Sequence, residues 1–178
     1  MCIRDRPGRL LVEFIATRRG QHLFVYPFAG RSAHEGIAAL AAWRWSQLTP
    51  NTWSYTVNDY GFMLTPEVPL SDTGAATLQT LIRQILASDG IEDGLRHALN
   101  LGELARRQFR EVARVAGLLP PSLPGRAPPS MRQLQASAGL LYDVLRRYDP
   151  GHLLLAQAER EVLEQQLELD RLQAALTD

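Results

Sequence analysis

No lysine occurs among the 178 residues, so all 19 basic side chains are arginine. That absence removes a phosphate-loop lysine, a Schiff-base nucleophile and a lysine general base. A single cysteine, Cys2, leaves no intrachain disulfide and no thiolate cage for a metal, which fits a reducing compartment. No apolar run approaches the roughly 20 residues that span a bilayer. The opening Met1 to Arg6 also lacks the apolar centre of a signal peptide, so a cytoplasmic location and no membrane partner are expected. Formal net charge is zero, and no global field draws the chain to nucleic acid or acidic lipid. With 46% hydrophobic and 21% charged residues, there is still enough apolar material for one ordinary domain or two small ones.

Residues 1–7 are charged, unpatterned and cut off by Pro7-Gly8, and are expected to be a non-native start with the true beginning further upstream. Charge alternates beyond them. The formal sum is +4 over 1–58, −5 over 59–95, +5 over 96–132 and −4 over 133–178. Such blocks either pair with one another inside one fold or present a basic strip to an anionic partner.

The expected fold class is α+β. A small, mostly antiparallel sheet of about four strands with one packed helix should occupy residues 8–66, and a helical bundle residues 67–178. Leu10 to Thr17 and Gln21 to Tyr26 are rich in β-branched and aromatic residues around Arg18-Arg19-Gly20, which predicts a β-hairpin. Pro27 and Gly30 end the second strand, and Arg31 to Gln47 has the period of a helix with one buried face, capped by Ser32 with Glu35. Thr52 to Val57 and Phe62 to Thr65 flank the turn Asn58-Asp59-Tyr60-Gly61. Helices are predicted over 73–88, over 91–100, from Asn100 to Gly117, and from a Ser130/Gln133 cap. A final helix, opened by Asp149-Pro150, should run to about Leu176. Five prolines between Leu118 and Pro129 read as a stiff loop.

His34-Glu35 has the start of a zinc-protease motif, but Ala38 stands where its second histidine belongs. No metal site is expected, and no G-x-S-x-G elbow, G-x-G-x-x-G fingerprint or phosphate loop is present. Arg31 sits at a helix N-terminus, where the macrodipole favours an anion. Either it holds a phosphate there, with His34 beside it, or it pairs with Glu35 or Asp59. Arg106, Arg110 and Arg114 stand four apart with Arg107 adjacent, a repulsive strip that Glu103 and Glu111 offset only in part. The strip meets either an acidic segment of the same chain or a nucleic-acid backbone. Trp43, Trp45 and Trp53 offer stacking surfaces for bases or, by default, core packing.

Several blocks in order, among them His22 to Arg31, His34-Glu35-Gly36, Asn58 to Phe62, Arg106 to Gly117, Arg132 to Ser137, Leu141 to Val144 and Tyr148-Asp149-Pro150, resemble the C-terminal DEAD/H-associated domain of Lhr-type helicases. The ligase-associated DEXH-box variety is the most similar. The resemblance covers about residues 9 to 176 and implies an accessory module of a superfamily-two, ATP-dependent 3′-to-5′ DNA translocase and helicase in DNA repair. It implies ATP and Mg as cofactors of the full-length protein, and as partners single-stranded DNA or a DNA/RNA hybrid, the motor domains, and a DNA ligase or other repair proteins. The chain itself holds no ATP-binding or DExH motif, so no catalytic residue and no cofactor are expected in it. The expected nucleic-acid contacts are Arg31, His34, Arg106, Arg107, Arg110 and Arg114. Two other readings stand beside this one: a self-contained hydrolase using His34, Glu35 and Asp59, and a structural module that braces the helicase core or docks a repair partner through the last helix.

Overall fold

The computed structural model describes residues 10–18, 20–70, 74–119 and 130–177. The predicted hairpin forms from β1 (Leu11–Thr17) and β2 (Gly20–Tyr26), antiparallel, with Leu11 opposite Tyr26. A second hairpin, β3 (Trp53–Val57) and β4 (Phe62–Pro66), adds β4 beside β2, giving the fully antiparallel order β1-β2-β4-β3. Leu23 and Val25 of β2 and Phe62 and Leu64 of β4 are buried at period two, which fixes one face of the sheet as the core face.

Helix α1 (Arg31–Leu48) contacts β3, β4 and three further helices, α2 (Ala75–Ile85), α3 (Ile91–Ala98) and α7 (Leu169–Thr177). The expectation of a single buried face is therefore corrected. Ala33, Gly36, Ile37, Ala38, Leu40, Ala41 and Trp45 are all buried, while Leu48 at the end of the helix is exposed. Small residues permit this, because they let partners approach the α1 backbone from several sides. A Cβ built on Gly36 would lie 2.5 Å from Leu172 Cδ1, and one on Gly94 of α3 would lie 2.4 Å from Leu40 Cδ1.

The chain forms two compact units. One comprises residues up to Leu99 together with those from Leu167, and the other runs from Asn100 to Gln166. The sheet part and the helical part read from the sequence thus differ from the compact units. α2, α3 and α7 join the sheet because α1 needs cover on its outer faces. The second unit holds α4 (Leu101–Val115), α5 (Met131–Tyr148), α6 (Leu153–Glu161) and a π-helical turn, Val162–Gln166. Its core packs Phe109 edge-on to Tyr142 at 5.4 Å, with Ala105, Val112, Ala138, Leu155 and Ala158 around them. Asn100 caps α4, and Ser130 with Gln133 closes a full capping box on α5, both as predicted.

Three local expectations are corrected. Gly30, not Ser32, is the N-cap of α1, and it offers no side chain to the first amides. Asp149 ends α5 rather than opening the last helix, whose cap is His152, with Nδ1 accepting from the Leu154 amide at 3.2 Å. That last helix is not continuous: the π turn and the left-handed Glu168 (φ 47°) separate α6 from α7. The expected start at 1–7 and most of the proline loop 118–129 lie outside the described residues. Among the described residues, no helix is long and apolar enough to cross a membrane.

Gly61, at the head of β4, tests the sheet. A Cβ there would lie 2.1 Å from the Val25 carbonyl oxygen, a backbone atom that cannot step aside, whereas at Gly94 the obstacle is the end of a flexible leucine. Gly61→Ala is expected to cost about 2–3 kcal/mol in urea unfolding. Gly94→Ala should cost less, because relief of the roughly 1 kcal/mol helix penalty of glycine offsets part of the clash.

Candidate functional site

In the first unit, the turn from β2 to α1 and the turn from β3 to β4 meet on one side chain. His34, in the first turn of α1, has 0% exposure. Its Nε2 accepts the Ala29 amide at 2.9 Å, so its ring proton sits on Nδ1 and is donated to the Asn58 carbonyl at 2.8 Å. Asn58 Oδ1 in turn accepts the amides of Tyr60 and Gly61, each at 2.9 Å, and the Asn58 amide reaches the Gly61 carbonyl at 2.9 Å. The blocks around Tyr26–Arg31, His34 and Asn58–Gly61, separate in sequence, are one hydrogen-bonded cluster. His34 is consequently corrected from a phosphate contact to an interior bridge, since both ring nitrogens are used and neither reaches solvent.

Phe28 lies in this cluster with φ 54°, a left-handed conformation that costs a bulky residue on the order of 1–3 kcal/mol. Its ring stacks on Tyr26 at 6.4 Å and is otherwise exposed. Arg31 is exposed and, among the described residues, makes no ion pair, so the alternative of a bridge to Glu35 or Asp59 does not form. The sequence reading missed a second cation here. The Cβ position of Gly30 lies 3.7 Å from Arg171 Nη1 and 3.9 Å from Glu168 Oε2, and these two side chains pair at 2.8 Å. Neither Glu35 nor Asp59 bonds to His34, so the acid–base constellation of the hydrolase reading is not assembled among the described residues.

In the second unit the arginine strip of α4 is met by carboxylates. Arg106 Nε donates to Asp143 Oδ1 and Oδ2 at 3.0 and 3.2 Å, and its Nη2 donates to Oδ2 at 2.9 Å, a bidentate pair across to α5. Arg107 reaches Glu103 at 3.5 Å, while Arg110 and Arg114 share Glu111 at 2.8 and 2.9 Å. All four arginines thus have carboxylate partners, one of them in the acidic 133–178 segment. Around them lies an open cleft of about 460 Å³ lined by Glu103, Arg106, Arg107, Gln108, Arg110, Gln135 and Gln166. Three guanidinium groups and one carboxylate line it, with the Asp143 and Glu111 carboxylates paired to Arg106 and Arg110, and three primary amides add donors and acceptors.

Gln166 reaches the cleft because it ends the π turn. Its Nε2 donates to Gln108 Oε1 at 3.1 Å, and Gln108 Nε2 donates to Glu161 at 2.8 Å. Sequence reading missed Gln108, Gln135 and Gln166; Gln108 stands among the arginines of α4 in sequence, but nothing local marks Gln166. Arg114 does not line this cleft. The tryptophans offered for bases are packed instead. Trp45 is fully buried and stacked on Trp53 at 4.0 Å, and Trp43 stacks on His97 at 5.4 Å.

The Arg106 hydrogen bonds, and then its charge, hold the Asp143 carboxyl below its ordinary range. A depressed folded pKa stabilises above the unfolded value of about 3.9 and is lost as pH falls through the folded one. Asp143→Asn should therefore lower stability above about pH 4, by under about 1 kcal/mol for this half-exposed pair, and the gap from wild type should close in more acidic urea titrations. His34→Ala, which strands the Ala29 amide and the Asn58 carbonyl, is expected to cost about 2–4 kcal/mol. Arg31→Ala should change stability by less than about 0.5 kcal/mol in the same assay.

Residues 6–178 match the protein family described as DEAD/H associated. The chain is 30% identical over 164 residues to the ATP-dependent helicase Lhr-Core protein 2 of Thermococcus barophilus, an alignment covering 91% of this chain and 18% of that protein. Its fold superimposes with a TM-score of 0.62 on a structure described as Mycobacterium smegmatis helicase Lhr bound to ssDNA and AMP-PNP, at 23% identity over 94% of this chain and 20% of that one. The chain thus spans about a fifth of the length of either relative. Matched over nearly its whole length by that family, this chain belongs to the DEAD/H-associated family of Lhr-type helicases.

Proposed function

We propose that the chain works as an accessory module of an ATP-dependent, superfamily-two DNA helicase or translocase in DNA repair, where it holds single-stranded nucleic acid. One observation carries this reading: the cleft along α4, in which Arg106, Arg107 and Arg110 stand with Gln108, Gln135 and Gln166. Guanidinium groups grip phosphate oxygens in pairs, and primary amides take either donor or acceptor roles toward sugar and base edges. The carboxylates that face these arginines do not oppose it. Ion pairs this exposed contribute about 0–1 kcal/mol, so an incoming phosphate can replace a carboxylate at small cost. That one relative was solved with single-stranded DNA supports the same substrate class for this module.

ATP and Mg would belong to motor domains encoded elsewhere in such a helicase, and those domains would be its first partner. DNA/RNA hybrids, a DNA ligase and other repair proteins are further partners consistent with the family, and a cytoplasmic setting follows from that work. The role of the module would be to position the strand while the motor consumes the nucleotide.

Electrostatic holding has a quantitative signature. Each phosphate contact to a single strand steepens the fall of log affinity with log salt by about 0.7. Arg106→Ala/Arg110→Ala should therefore reduce the slope by about 1.4 in anisotropy titrations with a labelled oligothymidylate. An unchanged slope would remove the cleft from the binding surface.

A further inference from the structure

We propose that the two turns joined by His34 form a base-stacking platform for single-stranded nucleic acid, with Phe28 and Tyr60 as the stacking rings and Arg31 as the adjoining cation. This deepens the function proposed above and rests on it, but it invokes different residues in the other unit. Phe28 is 52% exposed and Tyr60 67% exposed, although each belongs to a turn pinned to a fully buried imidazole. Exposed rings on mobile loops are unremarkable; exposed rings held by this many backbone hydrogen bonds are preorganised, so little ordering remains to be done on binding. Phe28 is in addition kept in the left-handed region, at φ 54°, by a turn that places its ring against Tyr26 and leaves it otherwise exposed.

The surroundings select the kind of partner. In sequence the rings are flanked by Pro27, Ala29, Asp59 and Gly61, and Pro27 is buried, so neither turn sets a large exposed aliphatic side chain next to its ring in the chain. A flat π face with a guanidinium nearby suits a nucleobase, which stacks regardless of its identity. Arg31 is exposed without an ion pair among the described residues, but Asp59 lies in the Tyr60 turn, Glu35 one turn on along α1, and Arg171 beside Gly30 is paired with Glu168, so these turns carry no net positive charge. Binding here should therefore come from stacking and be insensitive to salt, unlike binding in the α4 cleft.

The experiment uses the whole chain, a fluorescein-labelled oligothymidylate and an abasic strand of the same length. Phe28→Ala and Tyr60→Ala should each weaken oligothymidylate binding by about five-fold or more. The salt slope should stay at the wild-type value and abasic binding should not change, while Phe28→Trp and Tyr60→Trp restore affinity. Full oligothymidylate affinity in both alanine variants, alongside the expected loss in Arg106→Ala/Arg110→Ala, overturns the platform and leaves the cleft standing. That outcome would assign the rings to a protein surface. An equal loss on the abasic strand also overturns it, because the rings would then be acting on something other than bases. A wild-type chain that binds neither strand defeats this inference and the proposed function together.

Discussion

The imidazole of His34 is the constraint on which the sheet unit depends. Two turns leave the core face of the sheet at the same end, and each strands a backbone group: an amide at Ala29 and a carbonyl at Asn58. Neither finds a strand partner, and a buried polar group left unpaired costs roughly 1–3 kcal/mol. One ring with a donor on one side and an acceptor on the other satisfies both, which no aliphatic residue in the buried first turn of α1 can do. The same bond path fixes Asn58, whose side chain closes the turn that brings Gly61 against β2. Sheet, α1 and both turns are therefore mutually determined, and the strain at Phe28 is tolerated because its neighbours leave it no alternative.

The second unit handles charge differently. Four arginines on one helix repel, and the fold offsets this with three carboxylates, Asp143 from α5 and Glu103 and Glu111 from α4 itself. Buried ion pairs would be rigid and costly to break, but these are about half-exposed, which keeps them geometrically ordered and energetically exchangeable. Such pairs would keep the surface ordered when empty while letting it exchange a carboxylate for a phosphate, as the proposed function requires. The π turn contributes by ending the helix on Gln166, whose amide joins the arginine-lined cleft.

Most elements were legible because their signals are local. Alternation gave four strands, Ser130 with Gln133 gave a helix start, and Gly117 (φ 71°) gave a helix end. The failures share a cause, which is that partners are not written in a single segment. α1 reads as half-exposed because its alanines and Gly36 are not hydrophobic enough to show that helices cover its other faces. The last helix reads as continuous because its apolar spacing persists through the π turn, while Glu168 gives no hint of its left-handed backbone. His34 was singled out for the right position and the wrong task. A histidine near an arginine suggests an anion site until its two acceptor and donor bonds are seen. Arg106 was similarly ambiguous, since Asp143 lies 37 residues away in sequence.

The central claim, that a singly protonated His34 locks the two turns together, is open to direct reading by nitrogen-detected NMR on the labelled chain. Long-range correlations should show the His34 ring as the Nδ1–H tautomer, with a through-hydrogen-bond coupling between Nε2 and the Ala29 amide nitrogen. An Nε2–H tautomer, or the absence of that coupling in an otherwise folded chain, would contradict the account.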